Sequence, residues 1–193
     1  MKKFEFTGET KTLLDGTVLH RIKALVRIES NVGNIKVGDI GGWIEKEDNL
    51  SHDGNAWVYD DARVYDDARV FGNASVYGHA RVFDNAGVYG DAEVYGNAWV
   101  YGDAEVYGNA EVFRTEHCLV MGPIGSRNTF TTFFRTKDKK IKVACGCFFG
   151  TIDEFLAKVK QTHGDSKHAK VYQAAVEVAL AQLEDVERRN NNA

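Results

Sequence analysis

The sequence predicts a mainly β protein: a parallel β-helix with an N-terminal β cap and a small C-terminal α+β domain. Three observations carry this. A six-residue unit runs ten times without a gap from Asn55 to Arg114, as NAWVYD, DARVYD, DARVFG, NASVYG, HARVFD, NAGVYG, DAEVYG, NAWVYG, DAEVYG and NAEVFR; a short fixed period marks stacked repeats. Within each unit Ala and Val lie two apart, so on an extended segment both face inward, while the residue between them and the aromatic after Val face out. Outside this stretch the period is lost, and alternating strand patterns and helical spacings take its place.

Residues 1–36 read as a β cap. Leu13-Leu14 and Thr17-Val18 flank Asp15-Gly16, a two-residue hairpin signal, and Ile22, Ala24, Val26 and Ile28 alternate with Lys23 and Arg27 as a half-buried strand does. A stacked coil needs such a cover because an open terminal turn exposes unpaired backbone groups.

The coil domain is expected over 37–117. Its first hexads are degraded: Ile44 and Leu50 fall in the Ala column on a continuous period of six, and Gly38, Gly41 and Gly42 let the chain turn from cap into coil. In the regular units the junctions Gly72-Asn73, Gly90-Asp91, Gly96-Asn97, Gly102-Asp103 and Gly108-Asn109 are turn chemistry, since Gly, Asn and Asp tolerate left-handed backbone.

Residues 118–193 form the α+β domain. Cys118 to Met121 is a short strand ended by Gly122-Pro123, and Arg127 to Thr136 alternates again. Arg127, Thr129, Thr131, Phe133 and Arg135 share one face, with Phe130 and Phe134 on the other. Asp138-Lys139 turns into a strand on which Ile141, Val143 and Cys145 oppose Lys140 and Lys142. The expectation is a sheet with an apolar face under two helices and a basic, hydroxyl-rich face left open. Thr151-Ile152-Asp153-Glu154 is a capping box opening a helix that carries Ile152, Phe155, Leu156 and Val159 and stops at Gly164. Asp165 or Ser166 caps a second helix with Tyr172, Val176, Ala179, Leu180 and Leu183 on one side. Arg188 to Ala193 reads as a frayed tail.

The formal charge of -4 hides an asymmetry: residues 1–54 carry about −1, 55–114 about −6 and 115–193 about +3. General nucleic-acid binding is disfavoured. No apolar run reaches membrane-spanning length, the start lacks the apolar stretch of a signal peptide, and three cysteines suit reduced thiols in a cytoplasm.

An aliphatic residue (Val58, Val64, Val70 and onward) followed four places later by a small one (Ala62, Ala68, Ala74 and onward) resembles the left-handed β-helix family of hexapeptide-repeat proteins, which includes acyltransferases and γ-class carbonic anhydrases. The resemblance implies three hexads per triangular coil, parallel trimers, and a left-handed winding that the general crossover rule does not supply. The place after Val departs from the family in being always Tyr or Phe. Cap, coil and a tail with GTIDEF and a charged helix together resemble hexapeptide-repeat proteins of phage and prophage genomes, which are often labelled transferases from the coil alone.

Four features are candidates for function. Residues eighteen apart stack on three coils, giving aromatic columns Tyr59-Tyr77-Tyr95-Phe113, Tyr65-Phe83-Tyr101 and Phe71-Tyr89-Tyr107. They either shield the corners by stacking on each other or join subunits, with Tyr59, Tyr65, Tyr77, Phe83, Tyr95 and Tyr101 as the oligomer contacts. The family's acyltransferases use a His base and its carbonic anhydrases three His on zinc. Here His79 takes a corner place, His52 and His117 lie at the coil margins, and no inserted loop interrupts the hexads, so no catalytic or metal residue is assigned and no cofactor is expected. Cys145-Gly146-Cys147, two thiols pointing the same way from a strand, would need His163 and His168 to complete a zinc site; buried small thiols are the default.

The basic face is the strongest candidate. Gly125 to Lys142 holds six basic residues and one acid, and the turn Gly125-Ser126-Arg127-Asn128 places backbone donors beside a guanidinium. Ser126, Arg127, Thr129, Thr131 and Arg135, with Lys140 and Lys142 adding potential, suit a phosphorylated small molecule. The reading is a non-catalytic, trimeric binding protein sequestering a phosphorylated ligand such as a nucleotide signal of host defence. Its rivals are an assembly module joined through the aromatic edges and an acyl- or acetyltransferase.

Overall fold

The computed structural model describes residues 1–190, with side chains through residue 183. The chain forms two compact units, Met1–Thr115 and Glu116–Ala193.

In the first unit, β1 (Phe4–Thr12) and β2 (Val18–Ala24) form an antiparallel hairpin, followed by β3 (Ile28–Glu29), β4 (Asn34–Ile35) and β5 (Ile40–Ile44). Ten two-residue strands follow: β6 to β15 are Trp57–Val58, Arg63–Val64, Arg69–Val70, Ser75–Val76, Arg81–Val82, Gly87–Val88, Glu93–Val94, Trp99–Val100, Glu105–Val106 and Glu111–Val112. Every third one pairs in parallel, giving three faces: β5-β7-β10-β13, β8-β11-β14 and β6-β9-β12-β15. The protein is therefore a parallel β-solenoid, and the hairpin β1-β2 extends its first face by pairing antiparallel with β5. The Ala and Val columns are buried throughout, as their spacing requires.

The corners follow from backbone chemistry. The last place of the hexad is left-handed wherever it is Gly, as at Gly72, Gly78, Gly90 and Gly108, and also at Asp60, Asp66 and Asp84. Where the corner is Asp, its carboxylate accepts the N–H one turn further on: Asp60 from Gly78, Asp66 from Asp84, Asp84 from Gly102. The carboxylate bond offsets part of the steric cost that Gly avoids.

The first turn corrects the expected register. Ile44 pairs with Val64 and Leu50 bridges Val70, so both stand in the Val column, not the Ala column. Eight residues, not six, separate Leu50 from Val58, and the additional two lie in the Ser51–Gly54 loop. There His52 stacks on Phe4 at 4.5 Å and its Nδ1 accepts the Lys3 N–H, which fixes the start of β1. Lys3 is itself buried, donating from Nζ to the Ala56 carbonyl at 2.8 Å, and burial lowers its ammonium to about 8.

Of the three glycines expected to turn the chain, only Gly38 has a positive φ. Gly41 and Gly42 lie within β5, where a Cβ would come within 2.8 Å of the Val58 and Ala62 carbonyl oxygens respectively, so they serve close approach. The Asp15-Gly16 hairpin is wider than two residues, closing with the Leu13 N–H on the Thr17 carbonyl, and the expected strand through Ile28 breaks after Ala24.

The second unit pairs β16 (Cys118–Ile124), β17 (Thr129–Arg135), β18 (Ile141–Cys145) and β19 (Phe148–Thr151) in an antiparallel sheet in that order, packed by α1 (Ile152–His163) and α2 (Lys167–Asn190). Strand β16 does not end at Gly122-Pro123. It continues through a register shift between Met121 and Ile124, which an edge strand accommodates because Pro need not donate to the ladder. The capping box forms, with Thr151 Oγ1 accepting the Glu154 N–H and Glu154 accepting the Thr151 N–H, and Gly164 ends α1. Ser166 Oγ accepts the Ala169 N–H at the start of α2. Of the expected frayed tail, Arg188 to Asn190 continue α2 and residues 191–193 lie outside the described residues. No described helix is long and apolar enough to cross a membrane.

Candidate functional site

The helices cover the Ile141, Val143 and Cys145 side of β18 as expected, but β17 turns toward them the side opposite to the one expected. Thr131, Phe133 and Arg135 pair with Cys145, Val143 and Ile141, and Phe133 and Val143 lie in the core with Phe155, Val159, Tyr172 and Val176. On β17 the side counted as basic is thus the helix-covered one, while Lys142 stays on the other side with Phe134. The ladder sets Phe133 opposite Val143, so the apolar side of β18 carries that side of β17 into the core, and Phe134 is fully buried on the other side.

This splits the predicted ligand residues. Thr131 is buried, with Oγ1 donating to Cys145 Sγ at 3.1 Å, so it supports the sheet. Lys142 pairs with Phe134 on the other face and lies over the Phe149 ring at 5.5 Å. Arg135 and Lys140 line one cleft with Lys139, Thr151 and Asp153. Ser126, Arg127 and Thr129 line another, at the far end of β17, roughly 20 Å away at the rise of an extended strand.

The cleft at Arg127 is the better-built site. It has a volume of about 340 Å³ and is walled by the turn before β17, by Cys145, Gly146, Cys147 and Phe148, and by α1 residues Lys158, Thr162 and His163, with Phe155, Val159 and Tyr172 as its floor. Three side chains able to carry positive charge, Arg127, Lys158 and His163, line it together with the hydroxyls of Ser126, Thr129 and Thr162. No carboxylate lines it among the described residues. The turn is held against Tyr172: a Cβ on Gly125, whose φ is 74°, would fall 1.8 Å from the tyrosine hydroxyl, so only Gly fits. Burial, with the Cys145 thiol beside it, pushes the Tyr172 hydroxyl above the usual tyrosine range.

Of this lining, Lys158 and Thr162 are absent from the sequence reading, which set Tyr172 on the apolar side of the second helix and His163 only beside the cysteines. The signal for the first two was available on α1, where Phe155, Lys158, Val159, Thr162 and His163 recur at i, i+3, i+4, i+7 and i+8. A polar edge on an otherwise apolar stripe marks a face that leaves the core and borders an opening.

The two thiols do not point together. β18 ends at Cys145, Gly146 turns with φ of 59°, and Cys147 is exposed, 4.0 Å from Arg127 Nη1. No group of three or more His, Cys, Asp or Glu side chains among the described residues is placed to hold a metal ion. His79 sits exposed at a corner, its N–H bonded to the Gly96 carbonyl. His117 is in the short 3-10 turn Thr115–His117.

The aromatic columns stack as their spacing predicts. Tyr77 lies on Tyr95 at 4.7 Å and 1°, Tyr65 on Phe83 at 5.1 Å, Phe83 on Tyr101 at 5.3 Å, and Phe71 on Tyr89 at 4.5 Å, while Tyr59 meets Tyr77 edge-on. Most rings are half-buried against each other, and Phe71 and Tyr101 remain exposed.

A family model described as the YdcK beta solenoid repeat matches residues 62–78, which span the second to fourth regular units. No curated protein shows significant similarity to the chain.

Proposed function

We propose that the protein is a non-catalytic binding protein whose C-terminal unit takes a small phosphorylated ligand in the cleft at Arg127. The observation that carries this reading is the lining itself: Arg127, Lys158 and His163 with three hydroxyls and no carboxylate, in a volume suited to a small molecule. A phosphate needs several convergent donors, and a planar guanidinium beside hydroxyls meets that need. Phe148 and Phe155 offer an apolar surface for a planar group, so a nucleotide is the preferred class.

The hexapeptide-repeat resemblance supports extending this reading to a left-handed, trimeric coil of phage or prophage origin, acting in the bacterial cytoplasm by sequestering a nucleotide signal. Thermal-shift measurements against mono-, di- and cyclic nucleotides test the core of it. Stabilisation by at least one of them, weakened about tenfold or more by Arg127→Ala, is expected from loss of charge-assisted bonds; no stabilisation across the panel removes the reading.

A further inference from the structure

A second site lies on the solenoid, on the face formed by β5, β7, β10 and β13. In-register pairing places Trp43, Arg63, Arg81 and Trp99 in one outward row, with neighbours about 4.8 Å apart. The first ring is covered: Lys11 and Arg21 lie over Trp43 at 4.4 and 4.9 Å, and Asp61 balances them. Beyond it Arg63 and Arg81 are half-buried and the row ends in an exposed ring. Trp99 is 43% exposed with the Arg81 guanidinium 4.9 Å from its ring, and Tyr101, two residues on along the strand, is 49% exposed.

Arg63 and Arg81 stand directly opposite each other, and among the described residues neither pairs with a carboxylate. Like charges in register oppose folding. The acids that could have neutralised them are committed elsewhere: Asp61 to Lys11, Arg21 and the Trp43 indole, Asp66 and Asp84 to backbone N–H groups. The solenoid thus keeps two arginines without a carboxylate partner beside two part-exposed aromatic rings, and within the row only Arg81 finds a partner, the Trp99 ring.

We propose that this row docks a short single-stranded oligonucleotide, with phosphates on Arg63 and Arg81 and bases stacked on Trp99 and Tyr101. Cationic tracking of the backbone combined with aromatic platforms is how sequence-tolerant single-strand binding works. An acidic glycan fits less well, because the carboxylates that would accept its hydroxyls are already occupied. The acidic balance of the repeat region limits the occupant to a short segment, since beyond the row a polyanion meets repulsion.

The test is fluorescence anisotropy of labelled hexathymidylate with the full chain. Saturable binding is expected, with a slope of log K against log salt of roughly −1.4 for two phosphate contacts on a single strand. Trp99→Ala and Arg81→Ala should each weaken it by about fivefold or more. Trp99→Tyr, which keeps a ring, should restore most of it. Arg69→Ala, which removes an arginine from another face of the solenoid, should leave it unchanged. Absence of binding, equal loss in Arg69→Ala, retention in Trp99→Ala, or competition by tripolyphosphate or hyaluronate as strong as by unlabelled hexathymidylate would overturn the proposal.

Discussion

The Tyr77 hydroxyl donates to Glu93 Oε2 at 2.9 Å, sixteen residues further along the chain, and Tyr95 does the same to Glu111 at 3.1 Å. The interval recurs. For three further rings the outward residue sixteen places on lies beside the ring: Arg81 by Tyr65, Trp99 by Phe83, Glu105 by Tyr89. Tyrosines meet a polar partner and Phe83 meets a ring, so the choice of Tyr or Phe at the fifth place follows the chemistry one turn on. Tyr77→Phe is expected to cost about 1 kcal/mol, the net worth of one hydrogen bond. A double-mutant cycle with Glu93→Gln, read by thermal melting, should show that the two losses are not additive.

Alkaline pH should weaken the solenoid. Burial first, then the bond to Glu111, raises the Tyr95 hydroxyl to about 12, and Tyr77 and Tyr89 are raised further by the same causes. For a group whose folded value lies above its unfolded one, the stability it contributes is complete below the unfolded value near 10 and is lost as pH rises through the folded one. Denaturant midpoints should therefore fall between pH 10 and 12, and Tyr95→Phe should flatten that fall.

Two corner glycines separate backbone cost from crowding. Gly90 and Gly102 have φ of 68° and 67°, yet a Cβ at Gly90 would lie 2.9 Å from the Gly108 nitrogen and one at Gly102 meets nothing within 4 Å. Gly102→Ala should cost about 1–2 kcal/mol from the left-handed conformation alone. Gly90→Ala should cost clearly more, measured as the difference in urea midpoint between the two variants.

Cys147 offers a probe of the cleft. It is exposed and borders Arg127, while the Cys145 thiol faces Thr131 and Tyr172. Alkylation followed by mass spectrometry should label Cys147 before Cys145, and a bound phosphorylated ligand should slow that labelling; unchanged labelling under saturating ligand would count against occupancy of this cleft.

The coil was legible because its period, its Ala-Val spacing and its Gly or Asp corners are all local chemistry. Ile44 and Leu50 slipped one column because the two-residue expansion at Ser51–Gly54 answers to Phe4 and Lys3, about fifty positions away. Strand β17 was inverted for a similar reason: Phe133 shares its side with Thr131 and Arg135, and only the ladder to Val143 decides which side the helices cover. Arg127 could be singled out from its neighbours in sequence, whereas Lys158 and His163 join it only through the packing of α1.

Isothermal calorimetry of the full chain with the nucleotide that gives the largest thermal shift, followed by recovery of that nucleotide, bears most directly on the account. A saturating heat, with an affinity that Arg127→Ala weakens about tenfold or more and the nucleotide recovered unchanged, is the predicted result. A nucleotide recovered cleaved or transferred, or a heat indifferent to Arg127, would contradict it.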